Sequence, residues 1–269
     1  GFIGSNFILN QMQKTSNFII NYDKITYAGK NNNLEDIKDN ERYQFIKGDI
    51  CDNSKFKDTL NEFTPDWIIN FAAESHVDRS INSPMNFIHT NIVGTATMLN
   101  TLNFYEKLKN YRFLHVSTDE VYGSLGKEGV FYENSRYKPN SPYAASKASS
   151  DHLVRAWSHT YGLPIIISHC SNNYGFYQFP EKLIPSMIIK AIRGEQIPIY
   201  GDGNQVRDWL YVTDHCEAIS MVAEKGFWNL DNPIKKVTSP NTHIPFAPVL
   251  EDAFIPSVEK VINAIKELQ

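Results

Sequence analysis

The fold of this chain is decided by FLHVSTDEVYG, residues 113–123. Its apolar first half predicts a buried strand, and Thr118, Asp119 and Glu120 follow where that strand ends. Open α/β sheets bind their ligands at the carboxyl ends of their strands. The stretch therefore predicts such a sheet with two neighbouring carboxyl groups at its functional edge, suited to acid and base work. Taken alone, the two groups are equally consistent with loop or helix-capping acids.

A second stretch, SPYAASK at residues 141–147, predicts the start of a helix. Ser141 is a suitable N-cap, and Pro142 suits the first helical position. Tyr143 and Lys147 lie four residues apart, so both project from one face of that helix. Because a neighbouring cation favours the phenolate, Tyr143 is predicted to lose its proton more easily than a free tyrosine.

The same Tyr-x-x-x-Lys spacing also occurs at Tyr43–Lys47 and at Tyr105–Lys109. In a chain with this many tyrosines and lysines, about one match is expected by chance. The first of these pairs lies on a predicted strand. The second lies at the end of a predicted helix, and no strand end with ionisable residues adjoins that helix. Only Tyr143 and Lys147 open a capped helix after a polar strand end, which favours a catalytic pair over a surface helix pair.

Apolar strands and helices alternate along much of the chain. Strands are predicted over residues 17–23, 43–49, 66–73, 112–117 and 164–170, and helices over residues 5–14, 53–63, roughly 85–109 and 142–161. This order predicts an α/β fold with a doubly wound parallel sheet, covered by helices on both faces and joined by right-handed crossovers. After Cys170 the alternation weakens, and helices near residues 180–194 and 213–224 are predicted to form a small cap.

The composition narrows the class of protein. A chain of 269 residues with 42% apolar side chains can bury a full core, so we expect a globular protein. The net charge of −4 argues against nucleic acid as the main partner and favours small molecules. Cys51, Cys170 and Cys216 are scattered, which predicts neither a disulfide framework nor a metal site and fits the reducing cytoplasm. No apolar run approaches the ~18 residues of a membrane span, and no signal peptide is recognised.

The first residues, GFIGSN, are typical of the second half of a glycine-rich phosphate turn. In such a turn, backbone amides at a helix N-terminus approach a pyrophosphate. Alone the pattern is weak, but Asp23 lies at the end of the next predicted strand, where an acid can hold an adenosine ribose. That carboxylate would repel a 2′-phosphate, which favours NAD over NADP. Asp49 is placed to flank the adenine, although a solvated loop acid explains it nearly as well.

Several stretches together resemble dTDP-glucose 4,6-dehydratases, which are extended short-chain dehydrogenase/reductases with a Rossmann-like fold. They are TDEVYG, NFAAESHVDRSI at 70–81, SPYAASKASSDHLVRAW at 141–157, SNNYG at 171–175 and FPEKLIP at 179–185. The resemblance runs from Gly1 to about Ala223. UDP-glucose 4-epimerases share the Tyr and Lys but lack the Asp-Glu pair, so this pair favours dehydration over epimerisation.

The resemblance implies a role for each catalytic candidate. Tyr143 takes the proton from the sugar 4-hydroxyl, while Lys147 holds the nicotinamide ribose and lowers the pKa of Tyr143. Thr118 hydrogen-bonds the 4-oxygen. Glu120 removes the proton on carbon 5, and Asp119 protonates the 6-hydroxyl as water leaves. NAD is the implied cofactor, no metal is implied, and the substrate is dTDP-glucose or a close analogue.

The resemblance also implies two sets of binding residues. Cofactor contacts are expected from Phe2, Ile3, Asp23, Lys24, Asp49, Ile50, Ala72, Ala73, Thr90, Tyr143, Lys147 and Asn173. Substrate contacts are expected from Ser75, Thr118, Asn172, Lys182, Leu183, Pro198, Tyr200 and Arg207. Arg207 suits a diphosphate because its planar fork donates in pairs, and a surface ion pair is its alternative explanation. His76 could face the substrate or be a structural histidine.

Residues 225–269 resemble a different family, the C-terminus of the beta subunit of thiamine-diphosphate 2-oxo acid dehydrogenases. We therefore expect a truncated and fused chain that lacks the first strand of the sheet. The expected domains are an NAD-binding domain over 1–174, a partial substrate-binding region over 175–223 and an unrelated segment over 224–269. Without the first strand, weak or absent NAD binding is expected.

Two other readings of the chain stay open. One is an NAD-dependent epimerase or reductase of the same superfamily, and the other is an inactive fragment with a non-catalytic role. The resemblance further implies a homodimer, joined by a four-helix bundle built from residues 85–109 and 142–161 of each subunit. A membrane or nucleic-acid partner is not expected.

Overall fold

The computed structural model describes residues 1–105, 111–126, 129–199 and 202–226. Within these ranges the strands are β1 (Ile19–Asp23), β2 (Tyr43–Lys47), β3 (Trp67–Asn70), β4 (Arg112–Thr118), β5 (Ile165–Cys170), β6 (Asn172–Tyr174) and β7 (Trp209–Tyr211). The α-helices are α1 (Phe2–Lys14), α2 (Asn53–Phe63), α3 (Val77–Asn82), α4 (Pro84–Phe87), α5 (Thr95–Asn103), α6 (Pro142–Tyr161), α7 (Leu183–Ile192) and α8 (Val212–Met221). The predicted alternation of strands and helices is confirmed.

Short helical turns complete the described part of the chain. Asn31–Ile37 and Asp119–Tyr122 are 3₁₀-helical, whereas Ile88–Gly94 and Val222–Gly226 are π-helical. One compact unit comprises Gly1–Ala223, and a second begins at Glu224. The predicted likeness of residues 225–269 to a second family falls almost wholly outside the described residues. The predicted domain boundary at residue 174 stays a prediction.

Every strand pairing in the described ranges is parallel, as predicted. The order is β3–β4–β5 in a three-stranded sheet, with β1–β2 and β6–β7 as separate pairs. The predicted single sheet is thus divided, because within these ranges β1 is hydrogen-bonded only to β2 and β3 only to β4. In the central sheet β4 is paired on both edges, and Thr118 lies opposite Cys170 at its carboxyl end.

The side chains of β4 alternate between two cores. Phe113 is fully buried in a core with Leu99 of α5 and Val154 of α6. Leu114 points to the other face, where it packs against Ile219 of α8. This period of two is what a strand covered on both faces requires. Each such buried side chain contributes roughly 1.5–3 kcal/mol relative to an exposed one. The helices on both faces confirm the predicted Rossmann-like architecture.

The bounds predicted for α6 are confirmed, and local signals explain them. The Ser141 Oγ accepts a hydrogen bond from the Ala144 N–H at 3.0 Å, and Pro142 occupies the first turn. The helix ends at Gly162, whose left-handed backbone is the usual helix stop. Tyr143 and Lys147 are both buried on one face, as the four-residue spacing predicts. The cap therefore fixes where the reactive face of α6 begins.

The helical stretch predicted over roughly 85–109 is confirmed up to Asn103, which is earlier than its predicted end. It consists of α4, the π-helical turn and α5, which follow one another without a break. The wider turn presents Asn91, whose side chain hydrogen-bonds the N–H and C=O of Glu74 at 2.9 and 3.0 Å. Its amide also donates to the Ser146 Oγ of α6 at 2.8 Å. A π-turn is often retained where such contacts serve a site, and residues 106–110 lie outside the described ranges.

No helix in the part of the chain that the structure describes has both the length and the apolar content that a bilayer crossing demands.

A comparison of two glycines with positive φ tests how tightly the turn after β4 is packed. Gly123 adopts φ 89° and ψ −137°, a region that is essentially restricted to glycine, and an added Cβ would collide with the Lys138 carbonyl oxygen. Gly162 adopts φ 70° and ψ 24°, where an added Cβ meets nothing within 4 Å. We expect Gly123→Ala to cost about 2–4 kcal/mol of unfolding free energy.

The matched control, Gly162→Ala, should cost only about 1 kcal/mol, because it introduces strain without a collision. Urea unfolding followed by circular dichroism measures both. Equal losses of unfolding free energy in the two variants would contradict the steric collision expected at Gly123.

Candidate active site

The two stretches singled out in the sequence meet in space. β4 ends at Thr118, and the following 3₁₀ turn carries Asp119 and Glu120. The Thr118 Oγ1 accepts a hydrogen bond from the Glu120 N–H at 3.3 Å, which folds the turn back over the strand end. Thr118 is also hydrogen-bonded to Tyr143 in the first turn of α6. The strand end and the helix start therefore form one site.

Tyr143 is buried, with 9% of its surface exposed, and its ring packs edge-on against Phe87. Burial raises its pKa well above the usual value, and the negative charge of Glu120 raises it further. The hydrogen bond with Thr118 acts in the opposite direction. Because the charge of Glu120 acts on Tyr143, the phenol and this carboxyl group lie near each other.

Lys147 is held by atoms of β4. Its Nζ donates to the Val116 carbonyl oxygen at 2.9 Å and contacts the His115 Nε2 at 3.3 Å. Burial is the main cause of the raised pKa of Tyr143, and the lowering of that pKa by Lys147 stays a prediction. Burial also lowers the pKa of Lys147 to about 8, although the negative charge of Asp151 opposes the shift.

The two neighbouring carboxyl groups interact with each other. Burial raises the pKa of Glu120, and the charge of Asp119 raises it further. The positive charges of Lys182 and Arg207 act to lower it. A carboxylate with a raised pKa is a stronger base, so Glu120 is suited to accept a proton from carbon. Asp119 contacts the Thr118 hydroxyl at 3.4 Å, which places it at the same strand end.

Two predicted substrate residues contact each other directly. The Lys182 Nζ donates to the Ser75 carbonyl oxygen at 2.9 Å, and burial lowers the pKa of Lys182. Arg207 is exposed and donates to the Val206 carbonyl oxygen at 3.0 Å. Because both cations act on Glu120, the two basic groups lie near this carboxyl group.

The other predicted substrate residues lie farther along the chain. Asn172 is on β6, opposite Trp209 of β7. Leu183 begins α7 with 38% of its surface exposed, and Pro198 is half-buried. Tyr200 lies outside the described residues. The assignment of these residues to the substrate stays a prediction.

The predicted cofactor residues gather at the carboxyl ends of the first strands. Phe2 and Ile3 open α1, whose first backbone N–H groups have no partner inside the helix. The Gly1 nitrogen lies 3.4 Å from the Asp23 Oδ2, so this helix start faces the end of β1. The Asp23 Oδ1 accepts the Ile25 N–H at 2.7 Å and holds Ile25 at φ 56°, a strained value for a β-branched residue.

The remaining cofactor candidates have varied surroundings. Lys24 and Asp49 form an ion pair at 2.6 Å. Ile50 belongs to the hydrophobic core. Ala72 and Ala73 follow β3, and Thr90 lies in the π-helical turn.

Asn173 is held firmly in place. Its Oδ1 contacts the His215 Nδ1 at 2.8 Å, and its carbonyl oxygen accepts from Gln178 at 2.9 Å. His215 is buried in α8, and burial lowers its pKa to about 4, so it contacts Asn173 as a neutral ring. A fixed amide at this position suits recognition of a polar ligand.

A cleft of about 190 Å³ is lined by Phe87, whose ring packs against that of Tyr143, but Tyr143 itself is not one of its lining residues. Arg79 stacks over Tyr27 at 3.7 Å and donates to Glu181 at 3.0 Å within the same region. His76 is a structural residue here, since its Nδ1 accepts the Arg79 N–H at 3.4 Å and caps α3.

The sequence interpretation missed three buried polar residues around the site. His115 lies in the strand stretch, where it was counted within an apolar run. Asp151 follows Lys147 by four residues, and that helical spacing could have revealed it. Asn91 has no comparable local signal, because its contacts with Glu74 and Ser146 depend on the π-helical turn.

A model of the family described as GDP-mannose 4,6 dehydratase matches residues 1–239. The match continues past residue 223, where the first sequence resemblance was predicted to stop. A dTDP-glucose 4,6-dehydratase of Xanthomonas campestris pv. campestris is 56% identical over 232 residues, covering 84% of this chain and 66% of that relative. The chain thus spans about two thirds of the length of the curated relatives it matches. These comparisons give no support to the second resemblance, that of residues 225–269.

Solved structures give the same picture. The dTDP-glucose 4,6-dehydratase of Bacillus anthracis, in complex with NAD, is 48% identical with a TM-score of 0.77, covering 84% of this chain and 69% of that one. The dTDP-glucose 4,6-dehydratase of Streptomyces venezuelae, with NAD and TYD bound, is 44% identical with a TM-score of 0.78, covering 82% and 69%. The Rossmann-like fold predicted from sequence is confirmed.

The raised pKa of Glu120 has a consequence for stability. Folding disfavours the ionised form, so Glu120 costs stability at neutral pH, and this cost vanishes as pH falls below its unfolded-state pKa. We expect Glu120→Gln to raise the free energy of unfolding at pH 7 by roughly 0.5–2 kcal/mol. At about pH 4 the gain should disappear.

Urea titrations at the two pH values measure the effect. Exposed Glu62→Gln on α2 is the matched control and should change stability by less than about 0.5 kcal/mol at either pH. A Glu120→Gln variant that is less stable than the wild type at pH 7 would contradict the burial of an ionised carboxylate.

Proposed function

The chain belongs to the GDP-mannose 4,6-dehydratase family, and we propose that it acts there as an NAD-dependent 4,6-dehydratase of a sugar nucleotide, dTDP-glucose. The observation that carries the proposal is the meeting of Tyr143 and Thr118 with Asp119 and Glu120 at one strand end. A reaction that first oxidises a sugar and then eliminates water needs both a phenol and a carboxyl pair. The names of the relatives support the same reaction.

The donor set at the strand ends fits NAD. The free N–H groups of Phe2 and Ile3 suit a pyrophosphate, the carboxylate of Asp23 suits ribose hydroxyls, and the fixed amide of Asn173 suits the nicotinamide end. Lys147 supplies the cation at that end. The chemistry that NAD supplies when bound is to accept a hydride and to return it.

Tyr143 and Thr118 are proposed to act on the sugar 4-hydroxyl. The phenolate oxygen of Tyr143 takes the hydroxyl proton, and the Thr118 hydroxyl hydrogen-bonds the same 4-oxygen. Because burial raises the pKa of Tyr143, a positive charge is needed to stabilise its phenolate. Lys147, one helical turn along α6, is the cation of this chain that is placed to do so.

Glu120 and Asp119 are proposed to divide the elimination between them. Once carbon 4 is a ketone, the proton on carbon 5 is acidic, and Glu120 takes it. Asp119 donates a proton to the departing 6-hydroxyl, so the hydroxyl leaves as water. The two carboxyl groups need different protonation states for these duties, and their mutual repulsion favours one being protonated. Lys182 and Arg207 are proposed to hold the diphosphate.

Three variants separate these roles on dTDP-glucose in deuterated water. Glu120→Gln should lose exchange of the carbon-5 proton and reduce formation of the 4-keto-6-deoxy product by about 10²–10⁴-fold. Asp119→Asn should keep the exchange of the carbon-5 proton but eliminate water from the sugar only slowly. Tyr143→Phe should lose both, because no ketone forms. Mass spectrometry reads the deuterium, and alkaline absorbance reads the product.

Exposed Glu62→Gln serves as the control and should behave as the wild type. An epimerase would return a 4-epimer without loss of water, and a non-catalytic chain would fail to retain NAD in equilibrium dialysis. Undiminished product formation by Glu120→Gln would remove Glu120 from its proposed role.

A homodimer is also proposed. Support comes from apolar side chains exposed on the segments that the sequence resemblance assigns to the interface, among them Met85 at 68%, Val93 at 43% and Tyr161 at 54% exposure.

We expect a mass of two chains in analytical ultracentrifugation, and Met85→Glu should shift the equilibrium toward monomer because it places a charge in an apolar contact. The conservative Met85→Leu should leave the dimer intact, and a monomeric wild type would refute the proposal.

The cytoplasm is the proposed compartment, since Cys51, Cys170 and Cys216 are all free thiols. The resemblance of residues 225–269 to the 2-oxo acid dehydrogenase subunit stays a prediction.

A further inference from the structure

Behind Lys147 lies a buried carboxylate that the proposed chemistry does not use. Asp151 is one turn farther along α6, and only 1% of its surface is exposed. Its Oδ2 accepts hydrogen bonds from the Ser117 Oγ at 2.8 Å and the Tyr137 hydroxyl at 3.2 Å, and it lies 3.1 Å from the His169 Nε2. A buried charge of this kind is costly unless it is paired and hydrogen-bonded.

The second oxygen of Asp151 is arranged differently. In the described part of the chain the Oδ1 has no hydrogen-bond partner, and its nearest basic atom is the His115 Nε2 at 3.5 Å. That nitrogen lies 3.3 Å from the Lys147 Nζ. One oxygen of the carboxylate is thus saturated, while the other faces the histidine and, across it, the lysine.

The protonation of His115 follows from its neighbours. The Asn70 Oδ1 accepts the Ala72 N–H at 3.1 Å, so the Asn70 amide nitrogen must face the His115 Nδ1, at 3.2 Å. The Nδ1 is therefore an acceptor, and the proton of the neutral ring lies on Nε2. Burial and the charge of Lys147 hold the pKa of His115 well below its usual value, so the ring stays neutral.

The buried cation of Lys147 and the buried anion of Asp151 thus lie on opposite sides of the neutral His115 ring. An Nε2–H group cannot donate to an ammonium; its hydrogen-bond acceptor is the Ser150 Oγ at 3.2 Å, and the Asp151 Oδ1 lies slightly farther away at 3.5 Å. Burial acts against the charged form of Lys147, and the charge of Asp151 acts for it. The carboxylate thus offsets part of the desolvation penalty of Lys147.

We propose that Asp151 is a positioning residue whose buried carboxylate, acting across the neutral ring of His115, keeps Lys147 cationic and fixed beside Tyr143. The inference rests on the proposed function, because a cationic Lys147 matters only if Tyr143 must become a phenolate. It extends that function by giving a residue in the third turn of α6 an electrostatic role in the site.

Other titratable groups face this pair from each neighbouring element. They are His115 from β4, His169 and Cys170 from β5, Tyr137 from the loop before α6, and Tyr143 from α6 itself. Asp119, Glu120 and Tyr122 of the 3₁₀ turn, Asp78 and Arg79 of α3 and His89 of the π-helical turn also lie on elements packed against α6, and of these Asp78, Arg79 and His89 are exposed. Within this set Asp151 carries the buried negative charge that acts on Lys147.

Asp151→Asn tests the proposal, because it removes the charge and keeps the shape. With lysine labelled at ¹³Cε in the full chain, free of substrate and NAD, we expect the pKa of Lys147 to fall by about one pH unit or more. Lys147→Arg identifies the resonance. The alkaline limb of the turnover profile should move to lower pH by the same amount.

The matched control is Ser117→Ala, which removes a hydrogen bond to Asp151 but no charge. It should leave the pKa of Lys147 unchanged, and Asp151→Glu should restore most of the wild-type value. If Asp151→Asn does not fold, Lys147→Met tests the same coupling in reverse, because the ¹³Cγ resonance of the Asp151 carboxylate should then shift.

An unmoved Lys147 resonance in folded Asp151→Asn, or an unmoved Asp151 resonance in Lys147→Met, overturns the proposal. These readings do not depend on turnover. If the pKa of Lys147 shifts in Asp151→Asn but the wild-type chain forms no product, the dehydratase function is refuted and the proposed role of Asp151 stands. If the wild-type chain turns over normally but the pKa of Lys147 does not shift, the proposed role of Asp151 is refuted and the dehydratase function stands.

Discussion

The register of β4 is the constraint on which the rest of the structure depends. Paired with β3 and β5 on its two edges, β4 places Thr118 opposite Cys170 and turns His115 toward α6. A slip of one residue would exchange the two faces of the strand. His115 would then leave Lys147, and Val116 would take its place in the polar site. The pairing that builds the central sheet therefore also decides which side chains meet at its edge.

Burial is the second constraint. It favours the neutral forms of side chains that the proposed reaction needs in their charged forms. Removal from water raises the pKa values of Tyr143 and Glu120 and lowers that of Lys147, so each group is pushed toward its neutral form. The same exclusion of water strengthens every charge interaction within the site. A residue such as Asp151 is the natural compensation, because it restores one charge without opening the site to solvent. Such sites reduce stability in exchange for activity.

Local sequence signals predicted much of the fold, and contacts between distant residues explain what they missed. The ends of α6 follow from Ser141, Pro142 and Gly162, which act within a single helix. The meeting of Tyr143 with Glu120 also followed, because both lie where an α/β sheet binds ligands. The partners of Lys147 did not follow, because only strand pairing brings His115 to it. Nor does any local pattern mark the π-helical turn, which is stabilised by contacts made elsewhere.

That turn links the two halves of the site. Asn91 is buried, and its one side chain satisfies the backbone of Glu74 after β3 as well as the Ser146 hydroxyl of α6. The segment after β3 carries the alanines at the cofactor edge, whereas Ser146 adjoins Lys147. Because the Asn91–Ser146 hydrogen bond is buried, breaking it would leave an unpaired polar group at a cost of about 1–3 kcal/mol. The segment after β3 and α6 are therefore linked through one side chain, as the proposed hydride transfer between two bound molecules would require.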